Sequence, residues 1–224
     1  MKESQIILEL LQSMRNEINI DGMKRFGIES EIILGISMKE LESIKKQIGK
    51  NHTLALELWA SGIHEARMLA AMIAEPKMAT IELMNNWAND FDNWAICDSV
   101  CNKYFRRSPK IIEAINIWVE SDKLYVKRAA FASIAVIAVH MKKLSNDDFK
   151  KYYQMIVDNC TDERKHIAKA VNWALRQIGK HNATLCDESI EIAELIKKQN
   201  PQNRTALWIA KDAIRELEKK TFKN

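Results

Sequence analysis

The sequence has few residues that interrupt helices. Only six glycines and three prolines occur among 224 residues, and 47 % of the chain is hydrophobic. Because glycine and proline break helices and mark turns, their scarcity favours helices joined by short connections. No segment shows the alternation of apolar and polar residues that a half-buried strand requires. The composition therefore predicts an all-α fold.

Long apolar runs are missing as well. The longest one, residues 129–139, is about half of what a bilayer crossing needs. The opening segment MKESQIILELLQS has glutamates within its apolar pattern and no small-residue cleavage site, which predicts an amphipathic helix and no signal peptide. The cysteines form no CxxC pair, so we expect four buried free thiols in a reducing compartment. We expect a cytoplasmic protein with no membrane partner.

Motifs for common cofactors and metals do not occur. There is no GxGxxG or GxxxxGK[ST] loop for a nucleotide. The segment HEARM, which begins at His64, lacks the second histidine of a zinc-protease motif. No two of the five histidines have the spacing of metal ligands. We therefore expect no metal and no small-molecule cofactor.

Helical periodicity runs nearly end to end. Two starts are marked by capping residues, Ser37 with Glu40 and Ser145 before Asp147 and Asp148. The periodicity predicts helices over residues 3–15, 22–26, 29–34, 38–48, 52–61, 64–74, 80–89, 94–105, 109–121, 123–140, 146–159, 163–181, 187–199 and 204–219.

Three of these helices repeat one scheme. In IHEARMLAAMI, YVKRAAFASIAVI and IAKAVNWALRQI, a basic residue is followed by small residues and an apolar run. Arg67, Asp98, Arg128 and Lys169 fall at intervals of 31, 30 and 41 residues. Such periods are typical of HEAT-like or armadillo-like repeats. We expect one curved α-solenoid domain over residues 1–224, in which residues 1–50 form capping helices and residues 51–224 form the repeats.

Basic residues cluster at matching places in this repeat. The formal net charge is only +4, with an isoelectric point of about 8.8. Each cluster alone could be a solvated helix face, but stacked repeats would merge them into a stripe able to follow a phosphate backbone. The candidate DNA-binding residues are Arg106, Arg107, Lys127, Arg128 and Lys169.

One pair of residues suggests a cation site. Trp94 lies four residues before Asp98, so an indole and a carboxylate share one helix face. Arg128 and Trp173 lie in two of the repeated helices and could face the same concave wall. The alternatives are an ion pair between Asp98 and Arg128 and core positions for both tryptophans. The remaining tryptophans are predicted to pack: Trp59, Trp87, Trp118 and Trp208.

Several segments together resemble a known family. LELWASGIHEARMLAAMI, DNWAICDSVC, VKRAAFAS and AVNWALRQIGK are similar to the HEAT-like repeat glycosylases of bacterial DNA alkylation repair, the AlkD-like proteins. The resemblance is clearest over residues 54–181. It implies that Trp94, Asp98, Arg128 and Trp173 line the DNA-binding concavity. Many members have a second tryptophan directly before the first of these, where this chain has Asn93.

The resemblance implies a fold and an activity. Members cradle duplex DNA on a concave, positively charged face and act as monomers without metal. They hydrolyse the N-glycosidic bond of positively charged N3- or N7-alkylated purines. In this reading Asp98, Trp94 and Trp173 are catalytic: Asp98 stabilises the cationic sugar, and the two indoles provide π faces. The alternatives are a non-catalytic DNA-binding protein of the same family and a HEAT scaffold for a protein partner.

Overall fold

The computed structural model describes residues 2–222 as two compact units. The first unit ends at Ile112 and the second begins at Glu113. Regular structure in the described range is helical, apart from one isolated bridge between Ile32 and Ile63. The predicted all-α class is therefore confirmed, whereas the single curved domain stays a prediction. No helix among residues 2–222 has both the length and the apolarity to span a bilayer.

Over its described residues, 2–112, the first unit has seven complete helices, and α8 (Ile111–Trp118) begins at its end. Two short 3-10 turns, Pro76–Met78 and Phe105–Arg107, interrupt the chain between helices. The seven helices are α1 (Glu3–Ser13), α2 (Glu17–Arg25), α3 (Met38–Ile48), α4 (His52–Ala60), α5 (His64–Ile73), α6 (Ile81–Asn89) and α7 (Trp94–Lys103).

An aromatic cluster forms the core of the first unit. The rings of Trp59 and Trp87 stack with their centroids 3.9 Å apart and their planes at 2°. The guanidinium of Arg67 lies over the Trp59 ring, 5.3 Å from its centroid. Arg67 also donates to the carbonyl oxygens of Trp59 and Asp90 at 3.4 and 3.2 Å. Arg67, the basic residue of the first repeated helix, therefore packs on this aromatic core and hydrogen-bonds to its backbone.

The predicted helix over residues 29–34 is wrong. The segment is extended, because its backbone groups find partners in α5 instead of in a helix. The Glu65 carboxylate, which is only 1 % exposed, accepts from the backbone N–H groups of Leu34 at 2.9 Å and Gly35 at 2.7 Å. The His64 N–H donates to the Ile32 carbonyl at 3.0 Å. A buried carboxylate on another helix thus sets the conformation of this segment.

Helix starts follow side-chain caps, some of which the sequence prediction missed. The capping boxes at Ser37 and Ser145 are confirmed. Helix α2 begins several residues earlier than predicted because the Asn16 side chain accepts from the Asn19 N–H at 3.1 Å. Helix α12 likewise begins early, since the Asn182 side chain accepts from the Leu185 N–H at 2.9 Å. Asparagine caps such as these satisfy backbone donors that are otherwise unpaired.

The second unit contains two layers of helices. Helices α9, α11 and α13 pack side by side, and α10 and α12 pack against them. Alanines on α9 and α11 are fully buried between these two helices and allow them to approach closely. The four cysteines of the chain are buried thiols outside any disulfide, as predicted. The five helices are α9 (Leu124–His140), α10 (Asn146–Asn159), α11 (Lys165–Gly179), α12 (Ala183–Gln199) and α13 (Arg204–Leu217).

Candidate functional site

The start of helix α7 is fixed by Asn93. This residue is 1 % exposed, and its side-chain oxygen accepts from the N–H groups of Ala95 at 3.0 Å and Ile96 at 3.1 Å. Its amide nitrogen donates to the Ser30 hydroxyl at 3.0 Å and lies 3.4 Å from Nδ1 of His64. Because both ends of its side-chain amide are hydrogen-bonded, Asn93 fixes the N-terminus of α7. It thereby fixes the position of the next residue, Trp94, which is the first residue of that helix.

Trp94 and Asp98 occupy one face of α7, one turn apart, and both are partly exposed. The indole Nε1 of Trp94 donates to the carbonyl oxygen of Phe26 at 3.1 Å. The first unit therefore presents a fixed indole and a carboxylate together at its surface, as the sequence predicted from their spacing.

A cavity of about 630 Å³ opens beside Trp94 in the first unit. Its walls are mostly apolar, and they come from α2, the extended segment, α3, α5 and the first turn of α7. His64 contributes the imidazole in this wall, and burial lowers its pKa. Sequence reasoning did not find this cavity, because its walls come from several parts of the first unit that are distant from one another in the sequence.

Arg128 lies on α9 in the second unit and is only 6 % exposed. Its Nη1 donates to the carbonyl oxygen of His166 on α11 at 2.6 Å. The pKa of His166 is lowered by burial and by the charges of Arg128, Lys165 and Lys169. Arg128 therefore joins α9 to α11 through this hydrogen bond.

Trp173 is partly exposed on α11, one turn after Lys169. Trp59, Trp87 and Trp118, by contrast, are only 4 %, 2 % and 1 % exposed, so their predicted packing is confirmed. The meeting of Trp94 and Asp98 of the first unit with Arg128 and Trp173 of the second stays a prediction.

The other predicted DNA-binding residues have different environments. Lys127 is partly buried and donates to the Asn159 side chain at 3.2 Å. Arg106 is partly buried and donates from Nε to the Asn102 carbonyl at 2.5 Å. Arg107 and Lys169 are exposed. Of these four residues, Arg107 and Lys169 are therefore the more exposed to solvent.

The predicted packing of Trp208 is wrong, because its side chain is 44 % exposed. Its surroundings are basic: two adjoining surface pockets of about 390 and 480 Å³ both include Arg204 and Trp208 in their walls. The sequence contains the signal that reveals this. Residues 204, 208, 211 and 215 lie on one face of α13, whereas the buried residues 206, 209, 210, 213 and 217 lie on another.

Comparisons with known proteins agree with this architecture. A family model described as DNA alkylation repair enzyme matches residues 7–217. A solved structure matches with a TM-score of 0.77 and 19 % identity, over 86 % of this chain and 83 % of that chain. It is described as a new family of proteins related to the HEAT-like repeat DNA glycosylases with affinity for branched DNA structures. No curated protein sequence matches. At this identity the structural match concerns the fold alone, and it confirms the predicted HEAT-like repeat fold.

Proposed function

Because the chain belongs to the DNA alkylation repair enzyme family, we propose that it is a DNA glycosylase that removes positively charged N3- or N7-alkylated purines from duplex DNA. The observation that carries the proposal is the pair on α7. Trp94 and Asp98 share a partly exposed face, whereas Trp59 and Trp87 of the same unit are buried in its core. We further propose that the protein acts as a monomer in the cytoplasm.

The leaving group needs little assistance in this reaction. An alkylated purine such as 7-methylguanine carries a positive charge, so it departs as a neutral base when the electron pair of the glycosidic bond moves to the ring nitrogen. The deoxyribose then becomes an oxocarbenium ion. A fixed negative charge near that sugar lowers the barrier, because the positive charge develops there only in the transition state.

Asp98 is the residue proposed to supply this charge. Its carboxylate would stabilise the oxocarbenium ion and hold the water that attacks the anomeric carbon, and it would take the proton that the water loses. Trp94 and Trp173 would place indole faces against the cationic sugar or base, each contributing about 0.5–2 kcal/mol. The hydrogen bond from Trp94 to Phe26 keeps the first indole in one orientation.

Basic side chains would hold the phosphate backbone. Arg107 and Lys169 are exposed and can reach phosphates directly. Arg128, Lys127 and Arg106 are more buried, and each donates a hydrogen bond within its own unit. We therefore expect the exposed pair to account for more of the salt dependence of DNA binding than the three less exposed residues.

The test is release of the modified base. Duplex DNA treated with a methylating agent is incubated with the protein, and free 7-methylguanine and 3-methyladenine are measured by mass spectrometry. We expect release by the wild type and a reduction of about 100-fold or more in Asp98→Asn, which keeps the shape of the side chain and removes its charge. Asp187→Asn, an exposed carboxylate on α12, is the matched control and should match the wild type.

Other outcomes would reject parts of this proposal. Equal release by the wild type and Asp98→Asn would remove Asp98 from the mechanism. A wild type that binds duplex DNA in a salt-dependent way, and yet releases no base, would reject the catalytic function. If the wild type does not bind DNA even at low salt, the remaining candidate function is a HEAT scaffold for a protein partner.

A second candidate function is DNA binding without catalysis. The resemblance to the AlkD-like proteins places a tryptophan in many members where this chain has Asn93. Here Asn93 is a buried cap with hydrogen bonds at both ends of its amide, which an indole could not make. In addition, the solved structure described above comes from relatives with affinity for branched DNA. Binding to branched DNA without base release would favour this candidate.

A further inference from the structure

We propose that the surface of α11 and α13 around Trp208 binds an unpaired nucleotide of DNA, with its base stacked on the exposed indole. We call this surface the Trp208 patch. It lies wholly within the second unit and consists of Lys165, Lys169, Arg204, Trp208, Lys211 and Arg215. The proposal rests on DNA being the partner, as proposed above, but not on catalysis.

The exposure of Trp208 is the first observation. Trp208 is 44 % exposed, so much of its apolar surface is in contact with water. The buried face of α13 is formed by other residues of the helix. Single exposed apolar residues are common on protein surfaces. Trp208 differs from them because surface pockets adjoin it, each within the size range of small-molecule sites.

The charge around the indole is the second observation. The walls of the two pockets contain five basic side chains and two acidic ones, Glu163 and Asp212. Asp212 is already paired with Arg215 and with Arg176. Among residues 2–222, no carboxylate forms an ion pair with Lys165, Lys169, Arg204 or Lys211. The patch therefore has excess positive charge that an anionic ligand can neutralise.

An exposed aromatic ring surrounded by cations is the combination that binds single strands. Bases stack on the ring with little regard to sequence, and the cations hold the phosphates. A base inside a duplex would not fit this description, because both of its faces are already covered by its neighbours. A flat aromatic face beside lysines and arginines therefore favours an unpaired nucleotide over a base inside a duplex.

The position of the patch links it to the proposed site. Lys165, Lys169 and Trp173 follow one another at four-residue intervals along a single face of α11. The patch thus begins one helical turn from Trp173. A strand that passes Trp173 would reach Trp208 if it continued along α11 toward the start of that helix.

The test compares two DNAs of equal duplex length, one blunt and one with a short single-stranded overhang. Their binding to the full-length protein is measured by fluorescence anisotropy. We expect the wild type to prefer the overhang, and Trp208→Ala to lose about 5-fold to 100-fold of affinity for the overhang alone. Trp208→Phe, which keeps a stacking ring, should retain most of the preference. Leu195→Ala, an exposed apolar residue on α12, is the control and should behave as the wild type.

Three outcomes would overturn the proposal. One is equal affinity of the wild type for both DNAs, and another is an unchanged preference in Trp208→Ala. The third is equal binding of polyglutamate and of the overhang, which would show that the patch recognises charge alone. Base release from blunt methylated duplex is a separate readout, so loss of the overhang preference with normal base release would reject this proposal and leave the proposed function standing.

Discussion

The indole nitrogen of Trp94 donates a hydrogen bond of 3.1 Å to the carbonyl oxygen of Phe26, which lies 68 residues earlier in the chain. Phe26 follows the last residue of α2, and Trp94 is the first residue of α7. The bond therefore joins the N-terminal helices to the helix that carries Asp98. It also fixes the orientation of an aromatic ring that would contact the substrate.

Removing this hydrogen bond should cost stability. Trp94→Phe keeps an aromatic ring and deletes the donor, so we expect the free energy of unfolding to fall by about 0.5–1.5 kcal/mol in urea denaturation. The matched variant is Trp208→Phe, because the Trp208 indole makes no hydrogen bond to residues 2–222. It should change stability by less than about 0.5 kcal/mol. Equal stability of both variants would mean that the bond to Phe26 contributes nothing.

Gly35 should tolerate no side chain. Its backbone has φ of +74°, and a Cβ would lie 2.3 Å from the Asn16 carbonyl oxygen. We expect Gly35→Ala to lower the free energy of unfolding by about 2–4 kcal/mol, because both strain and a backbone clash arise. Gly27 has a similar φ of +70° with no atom within 4 Å, so Gly27→Ala should cost only about 1 kcal/mol. Equal losses would show that the clash is relieved without cost.

His64 should make the protein less stable in acid. It is 3 % exposed, and burial lowers its pKa from the ordinary value of 6.5, although the nearby carboxylates of Glu65 and Asp92 act in the opposite direction. The unfolded chain therefore binds a proton below pH 6.5 that the folded chain excludes. Stability should fall as the pH drops below about 6.5 and continue to fall until the folded imidazole is itself protonated.

The measurement for His64 is urea denaturation at several pH values between about 5 and 8. His64→Gln should show a smaller loss in acid than the wild type. His166 has a pKa that is also lowered by burial, but it is only partly buried. His166→Gln should therefore remove less of the acid dependence. A His64→Gln variant with the acid dependence of the wild type would contradict this prediction.

Substitutions of Arg128 and Lys169 should have different effects: the first should lower stability, and the second should weaken DNA binding. Arg128 is buried and donates to the His166 carbonyl, so Arg128→Met should lower the free energy of unfolding by about 2–4 kcal/mol. Lys169 is exposed, so Lys169→Met should leave stability within about 0.5 kcal/mol. It should instead weaken DNA binding and reduce the slope of log affinity against log salt by about one.

Urea denaturation and fluorescence anisotropy at several salt concentrations distinguish the two roles. A Lys169→Met variant with the salt slope of the wild type would remove Lys169 from the DNA interface. An Arg128→Met variant with normal stability and a reduced salt slope would show that Arg128 serves the phosphates and not the packing of α9 on α11.

Sequence reasoning succeeded where local rules decide. Helices α3 and α10 have the predicted bounds, because capping boxes at Ser37 and Ser145 signal their starts. It failed over residues 29–34, where Glu65 takes the backbone donors of a segment that has helical periodicity. No local pattern reveals that a carboxylate about 30 positions later is buried beside that segment.

The tryptophans likewise include some that the sequence placed correctly and one that it did not. The resemblance, together with the spacing of Trp94 to Asp98, correctly separated Trp94 and Trp173, which are partly exposed, from Trp59, Trp87 and Trp118 in the core. It misplaced Trp208, because the small and apolar residues 206, 209, 210, 213 and 217 decide which face of α13 is buried, and Trp208 lies outside that face. The stripe of residues 204, 208, 211 and 215 on α13 was visible in the sequence. The cavity beside Trp94 was not, since five separate parts of the first unit form its walls.

The sequence by itself determined the all-α class, the HEAT-like repeats and the shared face of Trp94 and Asp98, because helix propensity and side-chain spacing act within a few residues. Only the tertiary structure decided that Arg128 is bonded to α11, that Asn93 is a buried cap and that Trp208 stays exposed. Those outcomes depend on which distant groups satisfy buried polar atoms and which surfaces neighbouring helices cover, and both are settled by packing.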